Sequence, residues 1–218
     1  MAIVSPFELI VQRLVPLSVA KTVSLPAPAD PISVEAYFLQ ISNTSNTIAQ
    51  ITLQFTANPN TSGGPSNFNG GGIVPSGKNF GEVTALINEA GAISFLKSPV
   101  FTINSNASAT AKFSVPPQGS YLFLLQPDVS PLKDFDQQTD DFSYELRGYV
   151  EIDSTPGTSL LLSPQIRGTF FELGQKGELL APKILLPETL EKADNKVLLP
   201  YAQQAYSLIV PGSSLVTF

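Results

Sequence analysis

The chain has 218 residues, of which 43% are hydrophobic and 14% charged, enough apolar material for one buried core and far from a disordered composition. A net charge of -6, with 12 basic against 18 acidic residues, argues against a nucleic-acid partner, whose phosphates require basic side chains that displace counterions. His and Cys are both absent, which excludes Ser-His-Asp and His-ligated zinc chemistry, thiolate nucleophiles, disulfides and thiolate metal sites together. Any catalysis would rest on carboxylates, Lys, Tyr or a bound metal. The expectation is therefore a non-enzyme with no cofactor. The 19 prolines and 15 glycines favour short strands and many turns over long helices.

The first 21 residues lack a basic leader before their apolar positions and are interrupted by Glu8, Gln12, Arg13 and Pro16. They do not read as a secretory signal, and no apolar run reaches the ~18 residues that span a bilayer. The chain is expected not to insert in a membrane, and to be cytoplasmic, part of an assembled particle, or exported by a non-Sec route. Ser5, Pro6 and Glu8 have the spacing of a helix start, with Phe7, Ile10, Val11 and Leu14 on one face. Residues 1–30 are thus read as an N-terminal apolar arm, its first part a short helix on the core or a segment docking on a neighbouring subunit.

Residues 32–57 predict a hairpin. Ile51, Leu53 and Phe55 alternate with polar residues, Tyr37, Leu39 and Ile41 supply the matching face, and residues 43–47 the turn. Phe38 then points the other way, to be covered or exposed. Residues 58–79 are Gly/Asn-rich and predict no regular element. Within them Gly72 to Lys78 satisfies seven positions of a phosphate-binding loop. Asn79 stands where that loop needs Ser or Thr, and no buried strand precedes it, so nucleotide binding is not expected.

Residues 82–95 fit either a short helix or a hairpin turning at 88–91, and the surrounding strand pattern favours the hairpin. Alternation at Ala109, Ala111, Phe113 and Val115 predicts a strand, and the continuous apolar run at 121–125 a central strand buried on both faces. Asp134, Asp136, Asp140, Asp141 and Glu145 have the span of a calcium loop, but Thr139 replaces the required Gly, and a solvated acidic loop is the better reading. The Ser-x-x-Lys strings at Ser94 and Ser130 lack the elements that complete such a site. Sequons at Asn43, Asn60 and Asn106 matter only in a glycosylating pathway.

Residues 145–173 contain two strand-like runs around a Pro-Gly turn, each with Arg-Gly followed within two residues by an aromatic. A three-residue loop with Gly157 left-handed would set Glu145 opposite Arg167 and Arg147 opposite Gln165. The arginines would then be held by cross-strand carboxylates, or Arg147 and Arg167 would bind an anionic ligand or a partner's carboxylate. Residues 176–218, rich in Pro and apolar triplets, should pack on the domain or on a partner.

The whole predicts an antiparallel β-sandwich, Ig-like or jelly-roll in type, over residues 31–175, flanked by apolar N- and C-terminal extensions. The function expected is a structural or assembly subunit that associates with copies of itself through those extensions. The alternative is a ligand-binding module for calcium, a glycan or an anion, with a protein or glycan partner. Carboxylate-based glycoside chemistry is the one enzymatic reading that survives the composition.

Overall fold

The computed structural model describes residues 1–13, 31–58, 66–71, 81–89, 92–96, 100–128, 143–173, 179–180, 206–209 and 214–218. Its strands are β1 (Ala2–Arg13), β2 (Pro31–Asn43), β3 (Ala49–Asn58), β4 (Ser66–Asn67), β5 (Gly70–Gly71), β6 (Gly81–Glu89), β7 (Ala92–Phe95), β8 (Phe101–Ser105), β9 (Ser108–Val115), β10 (Ser120–Asp128), β11 (Ser143–Asp153), β12 (Ser159–Leu173), β13 (Leu179–Leu180), β14 (Tyr206–Ile209) and β15 (Ser214–Thr217). The described residues are all-β and antiparallel and contain no helix, and all but β4 and β5 join one strongly curled open sheet. The order β7-β6-β10-β2-β1-β11-β3-β9-β8 is joined at β2 by β12, which carries β13, β14 and β15 on its other side.

The expected N-terminal helix is a strand. Ser5, Phe7, Leu9, Val11 and Arg13 are buried while Pro6 and Gln12 are exposed, a period of two. A helix this short is marginal without tertiary support. As a strand, residues 2–12 pair with β11 and residues 10–13 with β2. That pairing outweighs a favourable cap.

The two strands expected as the 32–57 hairpin form, but not with each other. β3 lies between β11 and β9. β2 gives one edge to β12 over its full length, and divides the other between β1 at residues 32–35 and β10 at residues 37–42. Asn43 steers the chain between them. Its buried side chain donates to the carbonyls of Thr47 at 2.7 Å and of Val115 and Pro116 at 3.1 Å, and accepts from the Ser45 N–H at 3.0 Å. These bonds tie the connection 44–48 to the end of β9 instead of folding β3 back onto β2.

The sheet curls at β2. Val34 pairs with the buried Val11 of β1, whereas Leu39, on the opposite face of β2, pairs with the buried Phe123 of β10. The two wings of the sheet therefore present their apolar faces towards each other. Phe55 of β3 stacks on Phe123 of β10 with centroids 5.5 Å apart, and Phe113 of β9 stacks on the same ring at 6.1 Å. Phe7 and Tyr37 meet Phe55 edge-on at 5.7 and 6.2 Å. Burial of this aromatic set is the main stabilising term that the curl makes available.

The hairpin at 82–95 is present, paired from Leu86↔Phe95 to Glu89↔Ala92. The run at 121–125 is an interior strand between β2 and β6, with Phe123, Leu124 and Leu125 buried. Residues 58–79 were expected to hold no regular element, yet β4 and β5 form a small hairpin there. Between them the buried Phe68 packs 6.0 Å from Phe7, its N–H donating to the Asn106 carbonyl and its carbonyl accepting from Val83. One aromatic anchor overrides a polar composition. The loop-like motif at 72–78 lies outside the described residues.

Two buried phenols make the fold sensitive to alkali. Burial pushes Tyr37 and Tyr144 well above their ordinary value near 10, although Tyr37 shares a 2.8 Å hydrogen bond with Ser5, and Tyr144 donates to the Asn67 carbonyl at 3.0 Å. Above about pH 10 the unfolded chain sheds these protons and the folded chain keeps them, so stability falls by up to ~1.4 kcal/mol per tyrosine per pH unit. Absorbance titration at 295 nm should show at least two of the six tyrosines, Tyr37 and Tyr144 among them, ionising only with unfolding. Tyr37→Phe should flatten the alkaline decline in stability.

Candidate functional site

The two arginines singled out by sequence stand on different strands that do not pair with each other. β11 pairs with β1 and β3, and β12 with β2, so the expected β11–β12 hairpin is absent. Gly157 does adopt the left-handed turn, at φ 82°, but its N–H donates to the Phe218 carbonyl at 2.6 Å, and the Phe218 N–H donates to Thr158 at 3.0 Å. The turn closes on the C-terminus instead of on a hairpin. Counting across the sheet, Glu145 is level with Ile10, Ile10 with Glu35, and Glu35 with Gly168. Arg167, one residue from Gly168, therefore points to the face opposite Glu145 and Arg147. The expected Glu145–Arg167 pair is corrected by this register, which sets the two arginines on opposite faces of the sheet.

Arg147 sits among carboxylates. Its Nε donates to Glu8, its register partner on β1, and its Nη1 lies 2.8 Å from Glu145, two residues back on the same face. The bond to Glu8, followed by the charges of Glu145 and Glu35, outweighs partial burial and raises the guanidinium above its ordinary range. Sequence reading missed Glu8 because it placed that residue on a helix. The pair is exposed, so a Glu8→Gln/Arg147→Gln double-mutant cycle should return a coupling of only about 0.2–1 kcal/mol, shrinking in salt. Urea melts at two ionic strengths measure it.

Arg167 is held differently. Its guanidinium carbon lies 4.5 Å from the centroid of the buried Phe38, and Nε and Nη2 both donate to Gln165 at 2.9 and 2.7 Å. Phe38 and Gln165 are register partners, which places Arg167 two residues along on the same face. Among the described residues no carboxylate pairs with Arg167, and partial burial lowers its pKa. Phe38, left between cover and contact by the sequence, is covered.

Other candidates lose their chemistry or their place. Asp134, Asp136, Asp140 and Asp141 lie outside the described residues, as do Ser130 and Asn60. Glu145 is engaged by Arg147, and among the described residues no cluster of three acidic, His or Cys side chains forms a metal set. Ser94 lies on β7, and Lys97 of its string lies outside the described residues. Asn43 is buried and bonded, so a glycan has no access to it, whereas Asn106 accepts from Asn69 at 2.6 Å at the surface.

Sequence reading did not find the outer face that runs from β7 to β15. Phe95, Leu86, Leu124, Phe38 and Gln165 are level with one another across β7, β6, β10, β2 and β12, on the side away from Phe123. The middle of this row is buried, while its two ends are not. Ile93 and Phe95 on β7 are 46% and 43% exposed, and Leu161 on β12 with its partner Leu215 on β15 are 44% and 66% exposed. β7 pairs only with β6, and β15 only with β12, among the described strands. Between these edges Ser42 and Ser120 are bonded at 2.8 Å. The signal available in sequence was two short uncharged strands, Ala-Ile-Ser-Phe and Ser-Leu-Val-Thr. Compared with protein-family models, curated proteins and solved structures, the chain matches none of them.

Proposed function

We propose that this chain is a non-enzymatic assembly subunit that associates with copies of itself through the open edges of its sheet. The observation that carries the reading is that, among the described strands, both β7 and β15 are edge strands without a charge or a proline, bordered by exposed Ile93, Phe95, Leu161 and Leu215. Soluble monomers ordinarily blunt such edges with Lys, Pro or a covering segment, because unpaired N–H and C=O groups beside apolar side chains recruit another strand. The contacts are assigned to these edges and not to terminal arms, since β1, β14 and β15 are strands of the chain's own sheet. We read the curl as a two-layer sandwich, a view supported by the stack of Phe55 on Phe123. Sedimentation velocity from 1 to 100 micromolar tests the proposal. Species heavier than the 23.3 kDa monomer are expected, and a monomer throughout would overturn it.

A second reading, an anion-binding module, is favoured by one observation: Arg167 is half-buried on Phe38 with no carboxylate partner among the described residues. It requires that millimolar phosphate raise the melting temperature and that Arg167→Gln abolish the rise. No shift with phosphate or citrate removes it.

A further inference from the structure

Of the strands of the large sheet with one partner among the described strands, which are β7, β8, β13, β14 and β15, two bordered by exposed apolar side chains on one face, β7 and β15, differ in sequence but are complementary in direction. Five antiparallel pairings separate them, β7 to β6, β6 to β10, β10 to β2, β2 to β12 and β12 to β15. An odd number of reversals leaves β7 and β15 running in opposite directions. A second copy set beyond β15 without turning it over therefore presents its β7 antiparallel to β15. The register also puts Ile93, Phe95, Leu161 and Leu215 on one face of this sheet, so the exposed apolar ends of the two copies meet on the same side.

Resting on the edge-association reading above, we infer that β7 of one copy pairs antiparallel with β15 of the next, continuing a single sheet from molecule to molecule. A two-fold β15–β15 contact would also be antiparallel, but it leaves Ile93 and Phe95 in water. A β7–β7 contact leaves Leu161 and Leu215 there. The head-to-tail pairing covers both ends with one kind of contact. Such a contact is heterologous, and because successive strands rotate with the sheet twist it propagates as an open helical filament unless the rotation closes a ring.

The test uses the full chain and two edge-blocked variants, Ile93→Lys/Phe95→Lys and Leu161→Lys/Leu215→Lys. All four positions are exposed, so the core is untouched, and circular dichroism with a thermal melt checks folding; if a Lys pair unfolds the chain, the corresponding Thr pair replaces it. The wild type should form a concentration-dependent ladder of oligomers. Each variant alone should be monomeric, with association weakened at least ~10-fold, since either block removes one half of every contact. Mixed in equal amounts they should form a heterodimer, because one variant keeps an intact β15 and the other an intact β7. A mixture that stays monomeric overturns the inference, as does one blocked variant that dimerises by itself. If both variants assemble like the wild type, the inference falls while self-association stands; a monomeric wild type removes both.

Discussion

Phe55→Ala is expected to destabilise the protein by about 3–5 kcal/mol, a large share of the 5–15 kcal/mol that typically separates folded from unfolded chains. Phe55 is fully buried and is the ring on which both wings of the sheet converge, touching Phe7 and Tyr37 edge-on and Phe123 face-on. Truncation removes transfer free energy and leaves a cavity that β3 cannot close, because β11 and β9 pin it on both sides. A fall in melting temperature of roughly 6–20 °C should follow for a chain of this size. Phe55→Leu, which keeps most of the volume, should cost about 1.5 kcal/mol or less. Urea melts of the two variants measure the difference, and near-equal values would mean that the wings are not packed through this ring.

Gly148→Ala should cost about 3 kcal/mol or more, although it adds a single methyl group to a strand. A Cβ at this position would collide with the Thr56 carbonyl oxygen and come within 2.8 Å of both Ala57 Cα and Phe7 Cε1. Gly148 is level with Phe7 on one side and Ala57 on the other. Two of the three obstacles are backbone atoms of β3, which can retreat only by breaking the β3–β11 ladder. Gly157→Ala provides the contrast: its Cβ would meet nothing within 4 Å, and the cost is that of holding Ala at φ 82°, about 1 kcal/mol. Chemical denaturation of both variants separates a steric requirement for glycine from a conformational one.

That comparison explains part of the Arg-Gly-aromatic pattern. In the first unit Gly148 makes room for the Phe7 ring, and Arg147 points away from the core to Glu8 and Glu145. In the second, Arg167 lies over Phe38 and bonds Gln165. Similar letters sit in different surroundings, because their strands have different neighbours. The candidate site was legible only as two cations; which of them lacks a carboxylate among the described residues depended on strand order.

What the sequence determined by itself was local. The period-two alternation of Ile51, Leu53 and Phe55, the strand at 121–125 with its burial on both faces at 123–125, and the left-handed Gly157 follow from side-chain direction and backbone sterics. The absence of His and Cys likewise narrowed the chemistry before any fold was known. Partner choice was decided by the tertiary structure. A strand has two equivalent edges, and nothing in residues 32–57 or 145–173 states which edge a distant segment will take. Chain proximity suggested two hairpins. The aromatic core instead inserted β1 and β11 between β2 and β3, and placed β2 and β1 between β12 and β11. Burial of Phe7, Phe55 and Phe123 in one cluster outweighed the lower loop-closure entropy of local pairing. The same choice set Arg147 and Arg167 on opposite faces and left β7 and β15, like β8, β13 and β14, with a single partner among the described strands.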